Sequence, residues 1–149
     1  MEIFRITKAR YANQLTASGG VARWNERGQF VIYTAASRAL ACLENVVHRA
    51  GEGTNSDFRV MIIAIPDSVP IETVGPDQLP ENWFSPDQYP VCQQIGSLWL
   101  RQSRSAVLNV PSAIIPDERN YLLNPAHPAF GQIRLLRHEP FLFDPRLLR

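Results

Sequence analysis

The chain reads as an α+β fold with mixed or antiparallel sheets and flanking helices, on three observations. Residues 30–34 (Phe-Val-Ile-Tyr-Thr) and 58–65 are β-branched, aromatic or almost continuously apolar, which is the composition of strands. Residues 37–49 and 91–102 place apolar side chains at helical spacing. The two kinds of segment do not alternate regularly, which argues against a doubly wound parallel sheet. With 149 residues, one compact domain over residues 1–149 is the expectation, large enough to bury a core without disulfides or a structural metal.

Taken in order, residues 2–6 form a first strand, and residues 9–28, rich in Gly, Ser, Asn and charge, form irregular chain around a short turn. The strand at 30–34 delivers Tyr33 close to the start of the helix at 37–49, which Gly51 and Gly53 end. Residues 58–65 are the expected centre of a sheet, and 69–74 a short edge strand beside prolines. All 12 prolines lie at or beyond Pro66, so the later half is punctuated by turns. Residues 75–90 hold four of them and read as a surface loop. The helix at 91–102 turns Val91, Ile95, Leu98 and Trp99 to one side, and residues 106–110 form a strand closed by Pro111. Asn124-Pro125 and His127-Pro128 are turn signals, with terminal β structure at 132–137 and 140–143.

A formal charge of +1 carries no electrostatic footprint for nucleic acid or an anionic membrane. Fourteen of the 15 basic residues are arginine and Lys8 is the single lysine, which disfavours a lysine-dependent phosphate loop or Schiff base and suits bidentate contact with phosphate or carboxylate. Cys42 and Cys92 have no metal or redox spacing, and His48, His127 and His138 lack ligand spacing, so no metal is expected; the histidines read as surface or capping residues. The amino terminus lacks a basic region followed by an apolar run, and no stretch approaches the ~20 apolar residues of a membrane span. A cytoplasmic protein without membrane contact is the expectation.

Glu44 stands out. On the 37–49 helix, Leu40, Leu43 and Val47 form one apolar stripe, Arg38, Asn45 and Arg49 point the other way, and Glu44 falls on the apolar side. A carboxylate directed at a core is costly unless paired or hydrogen-bonded, and such a group beside a cleft is a functional candidate. Tyr33 and Arg23 lie upstream as partners, so a functional acid and a buried ion pair are both open. The Gly19-Gly20 turn leads into Arg23, Trp24 and Asn25, where glycine permits close approach of backbone to a ligand. Ser112, just past a strand, caps a turn or faces a cleft. GxGxxG, GxxxxGK[ST], HExxH and GxSxG are all absent.

The combined pattern is more specific than its parts. Gly19-Gly20, Arg23-Trp24-Asn25, Gly28, Tyr33, Leu40-Ala41, Leu43-Glu44, His48, Gly96, Trp99-Leu100, Val110-Pro111-Ser112, Asn120, Leu123-Asn124-Pro125, His127-Pro128, Phe141 and Asp144 with Arg146-Leu147 closely resemble the RES domain family. The arginine, glutamate and serine of its name match Arg23, Glu44 and Ser112. Many members carry paired glycines immediately before the arginine, whereas Val21-Ala22 intervene here.

The resemblance implies a fold similar to ADP-ribosyltransferase toxins and a bacterial toxin that consumes NAD as substrate, with no cofactor and no metal. It implies an Xre-like antitoxin covering the active site, DNA contact only through that antitoxin, and leaves room for a homodimer within the complex. Glu44 would stabilise positive charge developing at the ribose, Arg23 anchor phosphate or ribose oxygen, and Tyr33 stack on nicotinamide. Trp24 and Asn25 would belong to the same NAD site, Ser112 and Asn120 would orient ribose or amide groups, and Arg5 is a reserve phosphate contact. Hydrolysis or phosphorolysis of the nicotinamide–ribose bond, transfer of ADP-ribose to a protein, and a catalytically idle module holding a Glu44–Arg23 ion pair are the readings to separate.

Overall fold

The computed structural model describes residues 1–49 and 57–148; Gly51 and Gly53, expected to end the first helix, lie outside them. Seven strands share one sheet: β1 (Glu2–Lys8), β2 (Ile32–Ala35), β3 (Phe58–Ala64), β4 (Ile71–Thr73), β5 (Val107–Pro111), β6 (Arg119–Leu123) and β7 (Arg134–Phe141), in the order β4-β5-β6-β2-β1-β3-β7. The β4–β5 pair is parallel and all the others antiparallel. Two helices, α1 (Arg38–His48) and α2 (Tyr89–Gln102), complete the α+β architecture.

The sheet is nearly two sheets. β1 pairs with β3 in register from Glu2–Ala64 to Lys8–Phe58, and β2 pairs with β6 along its whole length. Between β1 and β2 the register is a single pair, Phe4 with Ala35. On the amino-terminal side of β2 the two strands part, and the Arg5 Nη1 donates across the gap to the Tyr33 carbonyl at 2.9 Å.

Burial follows the alternation of the strands. Ile3, Ile32, Met61, Ile63, Val107 and Leu123 form one apolar layer. On the other face, Trp24, Val31, Leu108, Val110, Leu122 and Trp99 pack beneath α2, and Phe4, Ile6, Ala35, Val60 and Ile62 pack beneath Leu40 and Ala41 of α1. Ser37 caps α1, its side chain accepting from the Leu40 N–H at 3.0 Å; such a cap stabilises a helix by about 1 kcal/mol. Ser103 ends α2 in the left-handed region at φ 49°.

Several expectations are corrected. β6 was not anticipated, because Arg-Asn-Tyr-Leu-Leu mixes polar and apolar residues and is a strand through its pairing with β2 and β5. The two terminal β segments are one strand, β7, which tolerates Pro140 because it is an edge. The inward arc of α1 is also rotated from the Leu40-Leu43-Val47 stripe. Val47 is half exposed, Asn45 donates to the Ile6 carbonyl at 3.2 Å, and Arg49 is buried. α1 sits over the parting of β1 and β2, where unpaired backbone draws a polar side chain inward. Leu98 likewise faces solvent, while Cys92, Gly96, Ser97 and Trp99 form the buried face of α2.

Gly96 holds α2 against the 19–29 segment: a Cβ there would lie 1.7 Å from the Trp24 carbonyl oxygen. Backbone cannot yield as a flexible side chain would. Gly96→Ala is expected to destabilise by about 2 kcal/mol or more, a fall in melting temperature of the order of 5 °C, measured by thermal unfolding; an unchanged midpoint would contradict the close approach.

Candidate active site at the parting of the sheet

α1 carries Glu44 to the ends of β5 and β6. One oxygen, Oε1, accepts from the Ser112 hydroxyl and from Asn120 Nδ2, both at 2.7 Å. The other, Oε2, lies 3.4 Å from His48 Nε2, one helical turn on. The carboxylate is largely buried, and burial pushes its pKa up. Hydrogen bonds from His48, Asn120 and Ser112 outweigh that and hold it below the usual carboxylate value. Glu44 is therefore an ionised acid in a mostly dry place, with a side-chain exposure of 19%.

Ser112 is fully buried and does more than donate. Its oxygen accepts from the N–H groups of Ile114 and Ile115, both at 3.1 Å, which fixes the turn after β5 and leaves its proton for Glu44. Asn120 points Nδ2 at the same carboxylate oxygen, while its Oδ1 is buried without a partner among the described residues.

Tyr33 lies on the same face of the sheet, on β2, where Tyr33 pairs with Leu122 and Ala35 with Asn120. Its hydroxyl donates to Asn25 Oδ1 at 2.5 Å and accepts from the Trp24 N–H at 3.2 Å. Burial raises its pKa strongly, so the hydroxyl is neutral. Asn25, 1% exposed, gives Nδ2 to the carbonyls of Gly20, Glu26 and Gln29. Trp24 is buried against Trp83, with ring centroids 6.1 Å apart. Gly19 and Gly28 take positive φ, and the Gly28 N–H closes the segment on the Gly19 carbonyl at 2.9 Å. Trp24 and Asn25 thus build the wall that holds the Tyr33 hydroxyl, and their polar groups are spent inside it.

Arg23 takes a different direction from Glu44. Its guanidinium donates to the carbonyls of Trp83 and Phe84 at 3.0 and 2.9 Å and lies over the Tyr89 ring at 4.4 Å. The buried Glu44–Arg23 ion pair weighed from sequence is absent, since the groups bonded to Glu44 are Ser112, Asn120 and His48.

In the gap between β1 and β2 is a cavity of about 690 Å³, within the size range of small-molecule sites; Glu44 reaches it through His48. Arg5, Lys8, Arg10, His48 and Arg49 line it, with Ile32 and Met61 among the apolar residues, and no carboxylate lines it among the described residues. Burial lowers the pKa of Arg5. His48 faces both the cavity and Glu44. It is a surface histidine, as expected, with its side chain 64% exposed; its position four residues after an inward acid is the signal for the contact with Glu44. Among the described residues no group of three His, Cys, Asp or Glu is arranged to hold a metal ion, and no helix is long and apolar enough to cross a membrane.

The sequence profile of the family described as RES domain matches residues 2–144. A "Prs ADP-ribosylating toxin" of Sphingobium sp. (strain YBL2) is 42% identical over 129 residues, covering 85% of this chain and 80% of its own. A "Toxin Res" of Yersinia enterocolitica is 40% identical over 99% of both chains, and a "Toxin Res" of Photorhabdus laumondii is 34% identical over 100% of this chain and 98% of its own.

The Glu44 donors set two expectations. Because its folded pKa is depressed, Glu44 contributes stability that is complete above its unfolded value of about 4.3 and is lost as pH falls through the lower folded value. The difference in melting temperature between wild type and Glu44→Gln is therefore expected to shrink below about pH 4; a difference that grows there would contradict the donor arrangement. Ser112→Ala removes one donor and leaves two N–H groups unpaired, and is expected to cost about 1–3 kcal/mol in denaturant unfolding and to raise the Glu44 pKa, read by NMR titration of the carboxylate.

Proposed function

The chain belongs to the RES domain family, and we propose that it is a toxin that depletes NAD by cleaving the nicotinamide–ribose bond, with water or inorganic phosphate as acceptor. The observation that carries this reading is an ionised Glu44, held by Ser112 and Asn120 and joined through His48 to a cationic cavity. Breaking the C1′–N bond leaves the electron pair on a neutral nicotinamide and positive charge on the ribose. A fixed carboxylate in a low-dielectric site favours that separation over the ground state. In this reading the arginines of the cavity hold the pyrophosphate, with Arg5 in the role expected of Arg23, because Arg23 is occupied by the Trp83 and Phe84 carbonyls. Tyr33 presents its ring to nicotinamide, its hydroxyl anchored by Asn25 and Trp24.

Transfer of ADP-ribose to a protein uses the same bond cleavage and differs in the acceptor. The Sphingobium relative's name favours it. Against it, no second carboxylate bonds or flanks Glu44 on α1, where positions 42 and 46 are Cys42 and Val46. As a family member the chain is further proposed to be held by an Xre-like antitoxin that covers the cleft.

Incubation with NAD, with and without phosphate, followed by mass analysis separates the acceptors: ADP-ribose marks hydrolysis, ADP-ribose 1″-phosphate marks phosphorolysis, and label on protein marks transfer. NAD intact under all conditions would end the proposal. Glu44→Gln is expected to lose about 10²–10³-fold in turnover while remaining folded; unchanged turnover in a folded variant would remove Glu44 from the chemistry. Coexpression with the adjacent open reading frame is expected to yield a complex inactive toward NAD, and recovery of free toxin alone would count against the partner.

A further inference from the structure

Arg49 is a charged residue in a place that does not account for it. It ends α1, is 9% exposed, and lines the cavity at the parting of β1 and β2. Its guanidinium carbon lies 4.8 Å from the Phe58 ring centroid and 4.2 Å from that of Phe143, and because those rings form an edge-on pair with centroids 5.0 Å apart, both flank it from one side. All three side-chain nitrogens are buried and without a hydrogen-bond partner among the described residues. The two rings stabilise the charge from that side, but they give the N–H groups no oxygen acceptor. Five donors in a rigid planar fork match the oxygens of a phosphate.

The neighbours support the same ligand chemistry. Arg5, Lys8, Arg10 and His48 line the cavity with Arg49, and among the described residues no carboxylate faces them from its walls. A buried guanidinium without a hydrogen-bond partner, set beside further cationic side chains, is unfavourable, and an anion relieves it. His48, next in sequence, joins the cavity to Glu44, which puts a phosphate held by Arg49 on the same helical turn that leads to the acid.

We propose that Arg49 is a phosphate-binding residue of this cavity, its guanidinium positioned by the packing of Phe58 and Phe143. The phosphate is either that of the dinucleotide substrate, an alternative that rests on the function proposed above, or free inorganic phosphate, which does not depend on it.

The test is direct binding by isothermal titration calorimetry with inorganic phosphate and, separately, ADP, using wild type, Arg49→Met and Arg49→Lys. Methionine keeps an unbranched apolar stem against the rings and removes the fork. Loss of at least ten-fold in affinity for inorganic phosphate in Arg49→Met, partly recovered in Arg49→Lys, identifies a site for the free anion. The same loss for ADP alone assigns Arg49 to the substrate's phosphates. Unchanged affinity for both probes in a folded Arg49→Met overturns the proposal and leaves Arg49 as a structural cation packed on two aromatic rings. Should Arg49→Met not fold, the wild-type protein decides: the Arg49 Nε–H resonance is expected to shift on titration with phosphate or ADP, and a resonance unmoved by both overturns the proposal. Neither readout involves NAD turnover, so failure here is distinct from failure of the NAD-cleaving reading.

Discussion

The arrangement around Glu44 depends on one constraint: an ionised carboxylate carried out of bulk water must be met by fixed donors. Glu44 finds them on two strands that are otherwise unrelated to its helix, Ser112 at the end of β5 and Asn120 on β6. Each donor is itself committed, Ser112 by the N–H groups of Ile114 and Ile115 and Asn120 by its position between β2 and β5 in the sheet. On the other side of the helix Asn45 ties α1 to the Ile6 carbonyl of β1. α1 therefore straddles the place where β1 and β2 part. Polar bonds, not apolar burial alone, set its rotation.

That parting creates the cavity. A continuous β1–β2 ladder would fill the space with backbone hydrogen bonds, whereas a single Phe4–Ala35 pair leaves it open and a buried Arg5 bridges its mouth to the Tyr33 carbonyl. The outcome is charge separated over a short distance: a carboxylate on one side of His48 and a group of guanidinium and ammonium groups on the other.

The 19–29 segment supplies rigidity to the same site. Two glycines with positive φ, the threefold donation from Asn25, and the approach of Trp24 to Gly96 hold the Tyr33 hydroxyl from outside the sheet. Arg23 extends that scaffold to the 83–89 segment through two carbonyls and the Tyr89 ring. The arginine singled out for contact with a ligand thus also fastens two loops together. Val21 and Ala22 between Gly20 and Arg23 accompany this placement: the Ala22–Asn25 bridge turns the chain there.

Much of this was legible in the chain itself. Strands β1, β2, β3 and β5 and both helices follow from local composition and spacing, within a few residues at their ends, because their burial patterns are those of isolated periodic segments. The inward Glu44 was also readable; Ser112 and Asn120 were expected, from the family resemblance, to orient ligand groups, and their bonds to Glu44 were not foreseen. Other features had no local signal. β6 is a strand only because β2 and β5 flank it, the rotation of α1 depends on the unpaired end of β1, and Arg49 looks like a solvent-facing helix end until Phe58 and Phe143 close on it. Hydrophobic periodicity and residue type are properties of neighbours in sequence, and they determined the elements and the candidate acid. Which polar side chain meets which partner is a property of neighbours in space, 68 and 76 residues apart for the two donors of Glu44, and only the tertiary structure decided it.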